Sequence, residues 1–163
     1  MKRSMLGVVL GAALVLAGPA GAAGTLDGRW LTQDTRAIVE VAPCDAAGPM
    51  PECGKIIWVK DPINPETGKP RRDKNNPEVA LQHRPIIGLL TLYKIVLNVE
   101  GNWNAVSYDP RSGEEHEITI RLAKDGKKIM LRGCGLGGLI CRSEVWSQAP
   151  QAADPAFAAT TTN

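Results

Sequence analysis

His83 and His116 are the chain's two histidines, and each stands among residues that could carry chemistry. His116 lies in the run Glu114-Glu115-His116-Glu117, where a carboxylate could orient the ring for acid/base work or share a metal with it. Along a strand, however, neighbouring side chains point to opposite faces. Glu115 and Glu117 then face away from His116, which shares its side with Ile118, Ile120 and Leu122. That parity favours a polar residue near the mouth of an apolar interior. Two histidines far apart also leave a metal's ligand set unfilled. No Gly-x-Ser-x-Gly elbow occurs, so no catalytic residue and no metal ligand is assigned, and nothing calls for a cofactor. His83 adjoins Arg84, for which two readings stay open. The guanidinium fork could clamp the carboxylate or phosphate head of a ligand, or it could pair with Asp73 or Asp109 and pin a loop. Aromatic mass is sparse, with one Phe, two Tyr and four Trp. Trp58, Tyr93 and Trp103 therefore join His83, Arg84 and His116 as candidate ligand contacts.

Two other groups invite chemical readings. Gly133-Cys134-Gly135-Leu136-Gly137-Gly138 has the spacing of a dinucleotide fingerprint, but that motif works only between a parallel strand and a helix. Here a β-rich run follows. The four cysteines form two short-range sets, Cys44 with Cys53 and Cys134 with Cys141, each bracketing a Gly- or Pro-containing turn. Local disulfides are the expectation. A four-thiolate zinc site is the alternative, with intervals longer than the usual knuckle.

These residues need elements to hold them, and the pattern is one of alternation with turn signals every ten residues or so. Eight strands are expected: Gly28 to Gln33, Ala37 to Ala42, Gly54 to Lys60, Ile86 to Val96, Trp103 to Tyr108, Glu117 to Ala123, Lys128 to Arg132 and Leu139 to Ser147. Short links such as Asp34-Thr35, Asp109 to Gly113 and Asp125-Gly126 imply an all-β, antiparallel up-and-down meander. One link is long. Asp61 to Pro85 contains five prolines and reads as a flap, within which Asn76-Pro77-Glu78 looks like a helix start over Val79, Ala80 and Leu81.

At the N-terminus, Lys2 and Arg3, the apolar run Met5 to Ala17 and Ala20-Gly21-Ala22 read as a secretory signal over residues 1–22. Residues 23–148 form the expected barrel domain. Residues 149–163, rich in Ala and Thr, are an expected disordered tail. Loss of Lys2 and Arg3 takes the 19 basic residues to 17, against 17 acidic ones. A neutral chain lacks the positive field of a nucleic-acid binder. Downstream of the signal no apolar run reaches the roughly 18 residues of a membrane-spanning helix. The expected location is periplasmic or secreted.

Gly28-Arg29-Trp30 on the first strand and Arg142 on the last would be neighbours in a closed barrel, the Trp plugging one end and the Arg stacking over its ring. This resembles the lipocalin-like barrels, with a Gly-x-Trp on the first strand and a basic residue on the last. The order "GRWLT", "VEV", "CGKIIWV", "NNPEVALQHRPIIGL", "YDPRSGEEHEITIRL", "MLRGC" and "CRSEVW" is similar, over nearly the whole mature chain, to an uncharacterised family of small exported bacterial proteins, domain of unknown function 2147. His116 in place of an aromatic, Ala105 in place of a Gly and the long tail depart from its pattern. The resemblance implies a lipocalin-like barrel and export, and it brings no activity or catalytic residues.

The leading expectation is a binding protein for a small apolar or amphipathic ligand. The alternatives are a structural or protein-interaction module of the envelope, with an unidentified protein partner, and an enzyme built on His116 or on Arg84 with Tyr93. Bulky residues such as Met130, Trp58 and Leu92 would abolish any chamber if they filled the interior.

Overall fold

The computed structural model describes residues 25–44 and 52–150. The expected signal segment, the turn after Cys44 and nearly all of the tail lie outside the described residues. Eight antiparallel strands follow one another round a closed barrel: β1 (Gly28–Leu31), β2 (Ala37–Pro43), β3 (Glu52–Val59), β4 (Leu90–Leu97), β5 (Trp103–Asp109), β6 (Glu114–Leu122), β7 (Lys128–Gly135) and β8 (Ile140–Gln148). β8 closes on β1 through Trp30↔Gln148 and Leu31↔Ser147.

The turns form where the sequence supplies their chemistry. Thr35 takes a positive φ of 56° between β1 and β2, held by the Thr32 hydroxyl and Arg36 amide, which both donate to Asp34 Oδ1. Gly113 closes the β5–β6 turn by donating to the Asp109 carbonyl at 2.8 Å. β4 starts four residues later than the apolar run at Ile86. Gly88 (φ 90°) and the bond from Leu89 N to Ile86 O turn the chain there, a geometry that an unbroken hydrophobic run does not announce.

Alternation sends Trp30, Val41, Leu92, Trp103, Ile120 and Ile129 into one buried cluster, each at most 8% exposed. Met130 points outward at 43% exposure. A bulge lies between Ile38 and Val39, where Ile38 pairs with Trp58 but Val39 pairs with Ile56. It shifts the facing pattern of β3, so Ile56 and Val59 both face the interior space and Trp58 does not.

The expected stack of Arg142 on Trp30 is not formed. β1 has four residues and β8 nine, and only the C-terminal end of β8 reaches β1. Arg142 pairs with Gly133 instead, about 20 Å along the strand from Gln148 at the usual rise. Trp30 is held otherwise. Its indole N–H donates to the Leu26 carbonyl at 2.9 Å, and Leu26 itself is fully buried.

Both local disulfides are present, Cys44–Cys53 with Cα atoms 5.2 Å apart and Cys134–Cys141 with Cα atoms 4.0 Å apart. The zinc alternative falls, because all four sulfurs are bonded in pairs. The second bond joins directly opposite residues of β7 and β8. In the loop-entropy account each contributes about 2.5 kcal/mol.

The long β3–β4 connection is ordered by its own bridges, Ile63↔Pro70 and Arg72↔Pro85. Its expected helix is a single 3₁₀ turn over Val79–Leu81. Asn76 does not cap that turn. Its side chain accepts from the Glu78 amide and donates to Asp73 and Tyr108, so the residue read as a helix cap serves a tertiary anchor.

Candidate functional site

The barrel is packed at one end and open at the other. At the open end, bounded by the β1–β2, β3–β4, β5–β6 and β7–β8 connections, lies a cavity of about 1630 Å³. Its floor is apolar, made by the buried side chains of Val39, Ile56, Ile118, Leu131 and Trp146. Strand pairing sets the barrel wall in rungs, which carry some of these floor residues. Ala105, Ile118, Gly133 and Arg142 share one rung, and Trp103, Ile120, Leu131 and Glu144 share the next one down. The rim carries charge of both signs, with Arg36, Asp61, Arg71, Arg111 and Glu114 among its residues.

Several ion pairs hold the rim in shape. Arg111, in the β5–β6 turn, reaches Asp34 in the β1–β2 turn at 3.1 Å and also binds Asp109. β1 and β5 stand four strands apart in a ring of eight, so this contact spans the mouth. Burial pushes the Asp34 carboxyl up, but hydrogen bonds from Thr32 and the Arg36 backbone, with the charges of Arg111 and Arg36, outweigh it and leave the group below its usual range. Arg36 binds Asp61 at 2.7 Å and ties the flap to the β1–β2 turn.

A second anchor is buried. Asp73 on the flap has no exposure. It accepts from Tyr108 Oη at 2.6 Å, Arg84 Nη2 at 2.8 Å and Asn76 Nδ2 at 2.9 Å. Of the two readings of Arg84, the structure forms the pin. Burial, then the neighbouring Asp73 carboxylate, pushes the Tyr108 hydroxyl from 10.0 up to about 12. Because the folded value is raised, this contribution to stability is complete below pH 10 and is lost as pH rises through about 12. The unfolding midpoint is therefore expected to fall over that window, in step with the phenolate absorbance. Tyr108→Phe should flatten that part of the profile, and an unchanged profile would show that the hydroxyl does not titrate with folding.

Of the six residues expected to touch a ligand, His116 is the one that lines the cavity. It is exposed at the mouth, with Nε2 3.6 Å from Glu114 Oε2. Arg84 belongs to the pin, and His83 is exposed on the flap, its carbonyl accepting from Arg72. Trp103 is buried in the packed half. Trp58 and Tyr93 are half-buried, away from the lining; burial and then Glu115 push the Tyr93 hydroxyl well above its ordinary range. Sequence reasoning missed Trp146 and Glu144 as cavity residues, and placed Arg142 at the wrong end. Their shared parity on β8 was the available signal. Among the described residues no group of three His, Cys, Asp or Glu side chains is placed to hold a metal, and no helix is long and apolar enough to cross a membrane.

The profile of a family described as uncharacterized protein conserved in bacteria, domain of unknown function 2147, matches residues 28–148, from the first residue of β1 to the last of β8. The chain belongs to that family. The match covers the β-meander and the flap. A solved structure from the human pathogen Helicobacter pylori, described as belonging to the lipocalin family, superposes with a TM-score of 0.61 at 16% identity, covering 78% of this chain and 84% of that one. At that identity the likeness establishes a lipocalin-like fold for this member of the family. No curated protein shows significant sequence similarity to the chain.

Proposed function

We infer that this protein is an exported binding protein that takes a small apolar or amphipathic molecule into the open half of its barrel. The observation that carries the reading is the cavity itself: five buried apolar side chains form its floor beneath a charged rim, the composition of a site for a molecule with one wet and one dry end. Small barrels are either filled or hold one ligand, and this one is filled only in its lower half. Export is supported by the signal-like residues 1–22 and by two disulfides, which persist in oxidising compartments.

Native mass spectrometry of the protein isolated from its own host is expected to show an adduct of small-molecule mass that is released by organic solvent, and an N-terminus near Ala23. A preparation with no adduct, which also takes up no amphipathic probe, would overturn the binding reading. A second reading, a protein-contact module, draws on the β7–β8 tip, where Leu136, Leu139 and Ile140 are 73%, 85% and 57% exposed. An apolar tip of this kind is a common protein-contact feature, and a specific crosslinked partner lost on replacing Leu136 and Leu139 by Ser would favour it.

A further inference from the structure

Five arginines line the cavity, and four of them are engaged. Arg36 binds Asp61, Arg111 binds Asp34 and Asp109, Arg71 donates to the Asp61 carbonyl, and Arg72 donates to the His83 carbonyl. Arg142 is the fifth. Among the described residues nothing accepts a hydrogen bond from it. Lys69 and Lys74 also line the space, but they sit on the flap at the rim, whereas Arg142 stands on the barrel wall, on the same rung as Ile118.

The surroundings of Arg142 are those of a subsite. Its partner across β7 is Gly133, which contributes no side chain; Ile118 Cγ2 packs over it, 3.3 Å from where a Cβ would stand, so the wall beside Arg142 is backbone and the Ile118 methyl. His116 lies beyond it on β6, one rung nearer the mouth. Below Arg142 on the same strand face, Glu144 accepts from the Trp146 indole N–H at 3.1 Å, which engages that carboxylate with the ring rather than with Arg142. The negative charge of Glu144 also opposes any deeper descent of an anion. An anionic group would therefore stop at the level of Arg142, while an uncharged chain attached to it could continue over Ile118, Leu131 and Trp146.

We propose that Arg142 is the anion-recognising residue of the cavity, taking the carboxylate of an amphipathic monoanion in its guanidinium fork while the ligand's apolar tail rests on Ile118, Leu131 and Trp146. The proposal rests on the binding reading above and adds the chemical class of the ligand. A planar fork matches a carboxylate with two parallel hydrogen bonds, and a hydrogen bond to a charged group is strong enough to move affinity by roughly 10- to 100-fold.

Isothermal titration of the disulfide-intact protein with decanoate and with decanol tests it, since the two probes share a tail and differ in the head. The expected result is tighter binding of decanoate. Arg142→Gln is expected to weaken decanoate by roughly 10- to 100-fold and leave decanol within about twofold. Arg142 is exposed, so the variant should fold, and an unchanged melting midpoint verifies this. Equal loss for both probes, or no loss for either, overturns the role of Arg142 while leaving the cavity as a binding site. If neither probe binds the wild-type protein the proposal also falls, and the native-mass adduct then decides separately whether the binding reading falls with it.

Discussion

Asp73→Ala is expected to cost about 3 kcal/mol of stability and to release the flap from the barrel. The estimate sits at the lower end of the range for breaking a buried ion pair, because the Arg84 side chain is 40% exposed and can recover water on that side. Tyr108 and Asn76 cannot, being 5% and 6% exposed. They would keep the 2.9 Å bond to each other and lose their acceptor. Asp73→Asn should be nearly as damaging, since an amide offers one acceptor where three donors converge. The flap has two further attachments, the Arg36–Asp61 pair and a bond from Asn75 Nδ2 to the Arg111 carbonyl at 2.6 Å. At the Asn75 contact Gly113 (φ 78°) lets the chains meet so closely that a Cβ would fall 1.9 Å from the Asn75 carbonyl oxygen. Denaturant titration gives the stability loss, and limited proteolysis between β3 and β4 reports the flap. A loss under about 1 kcal/mol with unchanged protease resistance would mean that the flap is held elsewhere. The same substitution bears on binding, since Arg71, Arg72 and Asn75 of the flap line the cavity and would leave its rim.

Which parts of this arrangement were legible in the sequence follows from the range of the signals. Eight strands, their order and the antiparallel meander are written in local alternation and turn residues, and the barrel follows them closely. The disulfides were legible for the same reason, as their partners lie nine and seven residues apart. Arg84 carried two readings, and only a distant residue, Tyr108, made Asp73 a buried acceptor. Facing was less legible. A bulge between Ile38 and Val39 shifts the parity of β3, so choosing Trp58 by residue type placed it on the wrong side, while Tyr93 follows the buried Leu92 in regular alternation and lies away from the lining. Arg142 failed for another reason. Its strand and face were readable, but the register of β8 on β1 depends on how far each strand extends before it loses a partner, which is a property of the closed barrel.

Trp30→Ala is expected to cost about 3 to 5 kcal/mol, the range for deleting a large buried aromatic side chain. At this domain size that is a fall in melting midpoint of roughly 10 to 20 °C. The ring is 2% exposed, packs in the main cluster and donates to the Leu26 carbonyl, so its removal leaves a void and an orphaned acceptor. Its strand is also the short one, and β1 meets β8 through two residue pairs, one of them Trp30's own. Closure therefore depends on side-chain burial more than on ladder length. Trp30→Phe separates the two losses. It keeps most of the apolar contact and removes the N–H, and should cost about 1 to 2 kcal/mol. Neither substitution touches the cavity lining, whereas Arg142→Gln changes the lining and not the core. In whatever fraction stays folded, Trp30→Ala should bind decanoate as the wild-type protein does. Loss of that binding in proportion to the folded fraction is the expected pattern, and a specific loss of affinity in the folded molecules would show that the packed end and the open end are not energetically separate.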